Sequence, residues 1–578
     1  MSKVASHILI PVAFFTGASV VMTWPLILNL SHSVVGQLGD NVQYVWLIGW
    51  FQEALLRLHQ SPFFVPTLNY PEGWSPAYTE VPATMVLPVL PISVLVGPVA
   101  AYNTSIFVSY VLSGLMVYAW VKRATGDPVA ALLAGSVFAF SPYRYSHFLA
   151  GHLNLLGTQW IALYFLCLVG LLLDRGRKIA YPLLGGLSLG LIAFTSQYYV
   201  YMTLVLTLVV LLARFLWVAR WEPADPDVMY RLGLFTLVGL PLVVLALAPF
   251  LQLNAVGDMP ARSLEYVRQY SASPTDFVLP ATTSVIWGNW VGENFDRAYW
   301  IEATLYLGAL ASALAVVGVV RSNSRLWLRG SVILVLAFTL AAVVLALGTD
   351  LHWLSEPVRI EVPAFLREWH PGPLASIPLP GRALFEWFPF YDRMRVWMRY
   401  GVFVLLGVSV LAGYGASWVS RRLQGWRGTS VSIGLLAVVL LDFMPRPQAY
   451  IRVEPRPVDE WLAAQTAPGA LVEFPFEKVA DQAQLYYTLT HRKPFLGGSF
   501  NSFPPPQYLR IKPVLDFFPN RESVELLRTL GVRYVLVHSQ EYQDFDEIDR
   551  HVRELGLHWT ASFGEIFVYE LEGGSRAP

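Results

Sequence analysis

The chain has 578 residues, 55% of them hydrophobic and only 14% charged, with 40 basic against 40 acidic side chains. Soluble domains carry about a quarter charged residues, so much of this surface does not face water, and such a composition excludes a disordered chain. Zero net charge gives no bulk pull toward nucleic acid, and the single cysteine, Cys167, excludes a disulfide framework, a cysteine zinc site and an iron–sulfur cluster.

What remains is a polytopic membrane protein. Apolar stretches of about 18–22 residues mark candidate spans. In chain order they are 8–28, 100–121, 128–141, 153–173, 180–197, 199–218, 231–252, 301–320, 330–347, 399–418 and 429–445. The first follows Lys3, has no small-x-small cleavage site and reads as a signal anchor. Segment 82–98 carries Pro82, Pro88, Pro91 and Pro98 and reads as re-entrant or interfacial. With about eleven spans and the N-terminus inside, the short basic connections at Lys122/Arg123, Arg175–Lys178, Arg220, Arg321–Arg329 and Arg421–Arg427 all fall on one side. Loops 29–99, 142–152, 253–300 and 348–398 then lie outside, as does the tail from 446.

That tail gains charges and prolines. Strand-like runs at Leu471–Phe476 and Val532–His538, amphipathic helices at Glu522–Leu530 and Asp544–Leu555, and a hairpin near His558–Leu571 predict a small α/β domain. The expected fold is therefore an α-helical membrane module over 1–445 and an extracytoplasmic α/β domain over 446–578. No internal repeat, nucleotide-binding glycine loop or Gly-x-Ser-x-Gly elbow is present. Gly186 and Gly190 suit close helix packing.

The first outside loop holds Gly39-Asp40-Asn41, then an apolar aromatic pattern at Tyr44, Trp46, Leu47, Trp50, Phe51, Leu55 and Leu58. This predicts a helix over 41–59 lying along the membrane surface, with Asp40 at its N-cap, a role that by itself accounts for an aspartate there. An acidic residue soon after the first span, followed by an interfacial helix, resembles the GT-C superfamily of polytopic glycosyltransferases. Other matching pieces are Tyr70-Pro71-Glu72-Gly73, Ala101-Tyr102-Asn103, Ser141-Pro142 with His147 and Gly151-His152-Leu153-Asn154, Tyr270-Ser271-Ala272 with Asp276, and Phe388–Arg399. The order of these pieces is similar to that in bacterial members of the group, and they span most of the chain. The resemblance implies transfer of a sugar from a polyprenyl-phosphate donor to an extracytoplasmic acceptor hydroxyl of a glycan, lipid or protein, with inversion. It places the chain in a bacterial cytoplasmic membrane, in contact with membrane lipids and not with nucleic acid.

Inverting transfer needs a carboxylate to accept the acceptor's proton, and Asp40 is the candidate base. Glu80 closes the same loop and is a candidate for binding acceptor or a metal, beside the plainer role of solvating the loop end. Arg393, Arg395 and Arg399 stand on the outside, against the positive-inside bias, and suit a donor phosphate, Arg395 and Arg399 first. His147, His152 and Asn154 suit sugar hydroxyls or a phosphate, as do Gln197 and Tyr198 at the outer end of adjacent spans. Two histidines five apart could ligate a metal, but no third ligand is near in sequence and no Asp-x-Asp follows the first span, so no metal or other cofactor is assigned. Readings from other classes are a lipid-linked glycan flippase or transporter, and a non-catalytic cell-envelope scaffold.

Overall fold

The structure, a computed structural model, describes residues 3–174, 176–218, 225–255, 261–321, 326–362, 373–423, 425–476, 481–498 and 504–572. Arg175, Arg220 and Arg325, counted above among the inside charges, lie outside these residues. Seven helices are long and apolar enough to cross a membrane: Pro98–Thr125, Leu153–Leu173, Gln197–Trp217, Pro226–Ala255, Leu328–Ala346, Trp397–Leu423 and Gly425–Asp442. Each coincides with an expected span. The expected spans at 8–28, 128–141, 180–197 and 301–320 correspond to shorter apolar helices, α1 (Lys3–Met22) among them. Local chemistry sets several boundaries. Asp127 Oδ1, for example, accepts from the backbone of Val129 and Ala130 and starts the helix Pro128–Ala139 behind its first-turn proline.

The helix of the first outside loop, α2 (Asp40–Gln52), is enclosed by protein: ten of its thirteen residues are buried, and it packs against the helix Leu90–Val96, α3 (Pro98–Thr125) and a C-terminal helix. Its aromatic pattern is a core pattern, sheathed by protein on all sides. The expected span at 301–320 begins only at Ala309, after an extended stretch, so Glu302 belongs to a separate single turn outside the bundle. Segment 83–96 is two short helices joined by a turn at Pro88, with Leu87, Val94, Leu95 and Val96 exposed.

The helix Gly401–Leu423 is the axis of the bundle. Every residue from Gly401 to Ser417 is buried, against the helices Ala309–Arg321, Pro128–Ala139 and Leu326–Ala346. A helix apolar on all faces has no water-facing side to orient it, and it fixes whatever precedes it, here the turn Trp397–Tyr400 bearing Arg399. Gly186 and Gly190 lie against the helix Pro226–Ala255, where an added Cβ would come within 2.6 Å of Phe235 O and 2.5 Å of Leu242 Cβ, so these glycines do serve close packing.

The C-terminal region contains a four-stranded sheet. Strand β1 (Ser33–Val35), from the first outside loop, pairs antiparallel with β2 (Tyr450–Arg452). The sheet itself runs β3 (Ala470–Phe474), β4 (Val532–His538), β6 (Ile566–Leu571), β5 (Leu557–Phe563), with β3 and β4 parallel and the rest antiparallel. Helices Arg521–Thr529 and Phe545–Glu554 stand within two residues of their expected ends.

Candidate functional site

The loops expected on the outside meet at one end of the bundle. Asp40 is the first residue of α2, not its cap. The capping position is Gly39, and the buried Asn41 secures the turn: its Oδ1 accepts from Gly39 N at 3.0 Å and Val42 N at 2.8 Å, while its Nδ2 donates to the Val35 and Gln37 carbonyls. The Asp40 carboxylate is left to face the loop cluster. Its Oδ1 accepts from Gln482 Nε2 at 2.7 Å, and His152 Nε2 lies 3.3 Å from Oδ2. Burial pushes this carboxyl up. The His152 hydrogen bond and charge, with Gln482 and Arg399, outweigh burial and hold it below the ordinary value.

His152 is placed by its own loop. The short helix α4 (Pro142–Leu149) presents His147, and Gly151 turns the chain at φ +75°. At that point the backbone passes so close to Asn41 that a Cβ would sit 2.3 Å from Asn41 N. A glycine is therefore required both by the left-handed conformation and by the space. The Nδ1 atoms of His152 and His147 are 2.8 Å apart, and His147 Nε2 stands 3.8 Å from Glu302 Oε2. Glu302 in turn accepts from Arg399 Nη2 at 2.7 Å and Nε at 3.2 Å, both side chains buried. Asp40, His152, His147, Glu302 and Arg399 thus form one continuous chain of charge and imidazole. At 3.8 Å the approach of His147 Nε2 to Glu302 is too long for a hydrogen bond, so that nitrogen has none among the described residues. Burial holds His147 well below the ordinary histidine range, although Glu302 opposes it. Burial also acts to raise Glu302, but Arg399 and His147 overcome it and bring the carboxyl down to about 2.

Glu80 anchors an adjoining group. Its carboxylate accepts from Asn154 Nδ2, from Ser196 Oγ at 3.0 Å and from the Tyr198 backbone N–H at 3.0 Å. The segment His152-Leu153-Asn154 therefore touches both carboxylates, Asp40 through its first residue and Glu80 through its last. Arg399 stacks 4.4 Å over the Tyr198 ring and ties the two groups together. Arg395 donates to Tyr266 Oη at 3.2 Å and lies over the Tyr270 ring at 5.0 Å, and its buried Nε has no hydrogen-bond partner among the described residues.

Beside Glu80 lies a cavity lined by Tyr78, Gln197, Tyr198, Arg262, Arg393 and Met394. An adjoining groove of about 380 Å³ shares Glu80 and Gln197 and continues along Phe63, Phe194, Leu245 and Phe250 toward the largely exposed apolar helix Pro226–Ala255. Of the three arginines, then, Arg393 lines the cavity, while Arg399 gives two of its nitrogens to Glu302.

His147, His152 and Glu302 each offer a ligand atom within 4.8 Å of the others. Two imidazoles and a carboxylate are a donor set that suits a divalent ion such as zinc, and these three residues could hold one. The third ligand escaped the sequence because it stands 150 residues from His152. Its only signal was a carboxylate at the edge of a stretch otherwise apolar enough to span, where a charge marks function by default. Gln482 gave no signal at all.

The overall fold, a helical membrane bundle followed by a C-terminal region with a sheet, is shared with solved membrane glycosyltransferases. Residues 9–370 match the family defined by a domain of unknown function, DUF6311, and the chain belongs to that family. Among solved structures, the archaeal oligosaccharyltransferase AglB of Archaeoglobus fulgidus, bound to an inhibitory peptide and a dolichol-phosphate, is similar with a TM-score of 0.51 and 14% identity, over 97% of this chain and 74% of that one. The mycobacterial arabinofuranosyltransferase AftD is similar with a TM-score of 0.58 and 14% identity, over 96% of this chain and 40% of its own length. No curated protein matches the sequence.

Proposed function

We propose that this protein is an inverting membrane glycosyltransferase that moves a sugar from a polyprenyl-phosphate donor to a hydroxyl of an extracytoplasmic glycan, lipid or protein. The observation that carries this reading is Asp40: an ionised carboxylate, released from capping, held between two donors and joined through residues 152–154 to a cavity that opens into an apolar groove. A groove polar at one end and apolar along a membrane-facing helix suits a donor that is a sugar phosphate on a hydrocarbon chain. The meeting of four loops expected outside supports a site on the extracytoplasmic side, with the N-terminus cytoplasmic, about eleven spans and the C-terminal region as an α/β domain on the same side.

In the reaction, the acceptor hydroxyl gives its proton to Asp40 as its oxygen bonds to the anomeric carbon. The bond from that carbon to the phosphate oxygen breaks, and polyprenyl phosphate leaves with the electron pair. Arg393, with the Nε of Arg395, meets the phosphate charge. Glu80, Asn154 and Gln197 face sugar hydroxyls. A divalent ion held by His147, His152 and Glu302 would supply Lewis-acid stabilisation of the departing phosphate.

The test is donor turnover. The protein in nanodiscs is offered a panel of polyprenyl-phosphate sugars with simple glycan acceptors, and release of polyprenyl phosphate is followed by mass spectrometry. Asp40→Asn, which keeps shape but loses the base, is expected to reduce release at least about 100-fold. Equal turnover by both proteins removes Asp40 as base. Movement of intact lipid-linked sugar across the bilayer without release favours the flippase reading.

A further inference from the structure

The C-terminal region is built into the site. Helix α5 (Asp481–His491) lies along α2, and Gly49 is the point of closest approach: a Cβ there would come 2.6 Å from Leu489 Cδ1. At the other end of the same helix, the buried Gln482 donates from Nε2 to Asp40 Oδ1 at 2.7 Å. The helix is fixed from both flanks. Toward the sheet, Gln484 donates to Glu473 Oε2 at 3.1 Å, Glu473 is bound by Arg456 and His538, and Arg456 lies 4.1 Å over the Tyr487 ring. Toward the first outside loop, the backbone crosses between the two regions several times. Phe495 N donates to Thr67 O at 2.7 Å, Asn69 N to Gly497 O at 3.0 Å, and Tyr70 N to Phe495 O at 3.2 Å. Gln507 Nε2 donates to the Asn69 and Tyr70 carbonyls, Arg510 pairs with Glu72, and β2 pairs with β1, which ends at Val35, shortly before Asp40.

We propose that the C-terminal region completes the transferase site by supplying Gln482 as the positioning residue of Asp40. One amide N–H occupies one lone pair of Oδ1, His152 takes Oδ2, and the carboxylate plane is fixed with a lone pair left to receive a proton. A carboxylate with neither donor would turn about its Cβ–Cγ bond, and a misplaced base loses rate steeply. The sheet domain thereby acts on the chemistry and is not a separate recognition module. The inference rests on the transferase reading above.

Two measurements on the full-length protein separate the two claims. The first needs no activity. In Gln482→Lys the new amine stands beside a carboxylate that is 37% accessible, and a water-soluble carbodiimide should join positions 40 and 482 by an amide bond, found by mass spectrometry of the digested protein. Absence of that link in a folded variant overturns the proposal. The second is the split of kcat from KM in the turnover assay. Gln482→Glu keeps the volume and removes the N–H donor, and Gln482→Ala removes the side chain. Both are expected to lower kcat about ten- to a hundredfold with the donor KM unchanged, at the thermal midpoint of the native protein. Native kcat in Gln482→Glu overturns the positioning role even if the cross-link forms. No turnover by the native protein, with the cross-link present, refutes the transferase reading and with it the role in transfer, whereas the contact itself stands.

Discussion

Removing one member of the buried Glu302–Arg399 pair should be the most damaging single change at the site that touches no reacting atom. Both side chains are at most 8% accessible, and the carboxylate takes hydrogen bonds from two nitrogens of the guanidinium. Glu302→Gln leaves Arg399 charged and buried, with an amide where its counter-ion stood. The cost of such an uncompensated charge is about 3–5 kcal/mol. The direction agrees: Arg399 and His147 hold the Glu302 carboxyl down from 4.5 to about 2, which favours the ionised form in the fold. Because the folded value is depressed, this stabilisation is fully present above about pH 4.5 and is lost as pH falls toward 2. The assay is thermal unfolding in detergent, by intrinsic fluorescence, at pH 7 and pH 4. Glu302→Gln should unfold several degrees early at pH 7, and its deficit should narrow in acid. The double variant Glu302→Leu/Arg399→Met, which buries no charge, should recover most of the stability but not turnover, since His147 has then lost its carboxylate. A double variant as unstable as the single one would refute the reasoning, because it would mean that the pair is held for shape and not for charge.

Gly151→Ala demands a left-handed residue and forces a Cβ to 2.3 Å from Asn41 N. It should destabilise the fold by more than about 1 kcal/mol and detach His152 from Asp40, seen as lost turnover in whatever protein still folds. His147 is fully buried and held low, so protonation favours the unfolded chain. Between pH 7 and pH 5 stability should fall with a slope approaching about 1.4 kcal/mol per pH unit below pH 6.5, and His147→Phe should flatten that slope in chemical denaturation. Arg393→Ala should raise the donor KM by about ten- to a hundredfold, the loss expected for a charged hydrogen bond of about 1.5–3 kcal/mol, with kcat little changed. Retention of the native donor KM would place the phosphate elsewhere.

Much of the bundle was legible because its signals are local and its residues have one job. Spans at 100–121, 399–418 and 429–445 were predictable from hydropathy alone, as were the strand Val532–His538 and the hairpin that follows. Asp40, Glu80, His147, His152 and Asn154 were all picked out as polar groups on loops of one side, and the structure brings them into a connected cluster. The aromatic run after Asp40 is apolar around the whole helix, and sequence alone does not say that the same chain's own C-terminal helix packs on it.

Composition, hydropathy and the bias of short basic connections are sums over neighbours in the chain, so the sequence by itself determined that this is a multi-span helical protein with polar loops gathered on one face and a mixed α/β tail. Which loop residues touch was decided only in three dimensions. Glu302 reaches His147 across 155 positions, and Gln482 reaches Asp40 across 442. Neither approach leaves a spacing that can be counted, because each depends on where the helix Gly401–Leu423, buried from Gly401 to Ser417, sets Arg399 and on how the C-terminal sheet is pinned to the first outside loop. A carboxylate's partners follow from packing, and packing is a property of the folded chain as a whole.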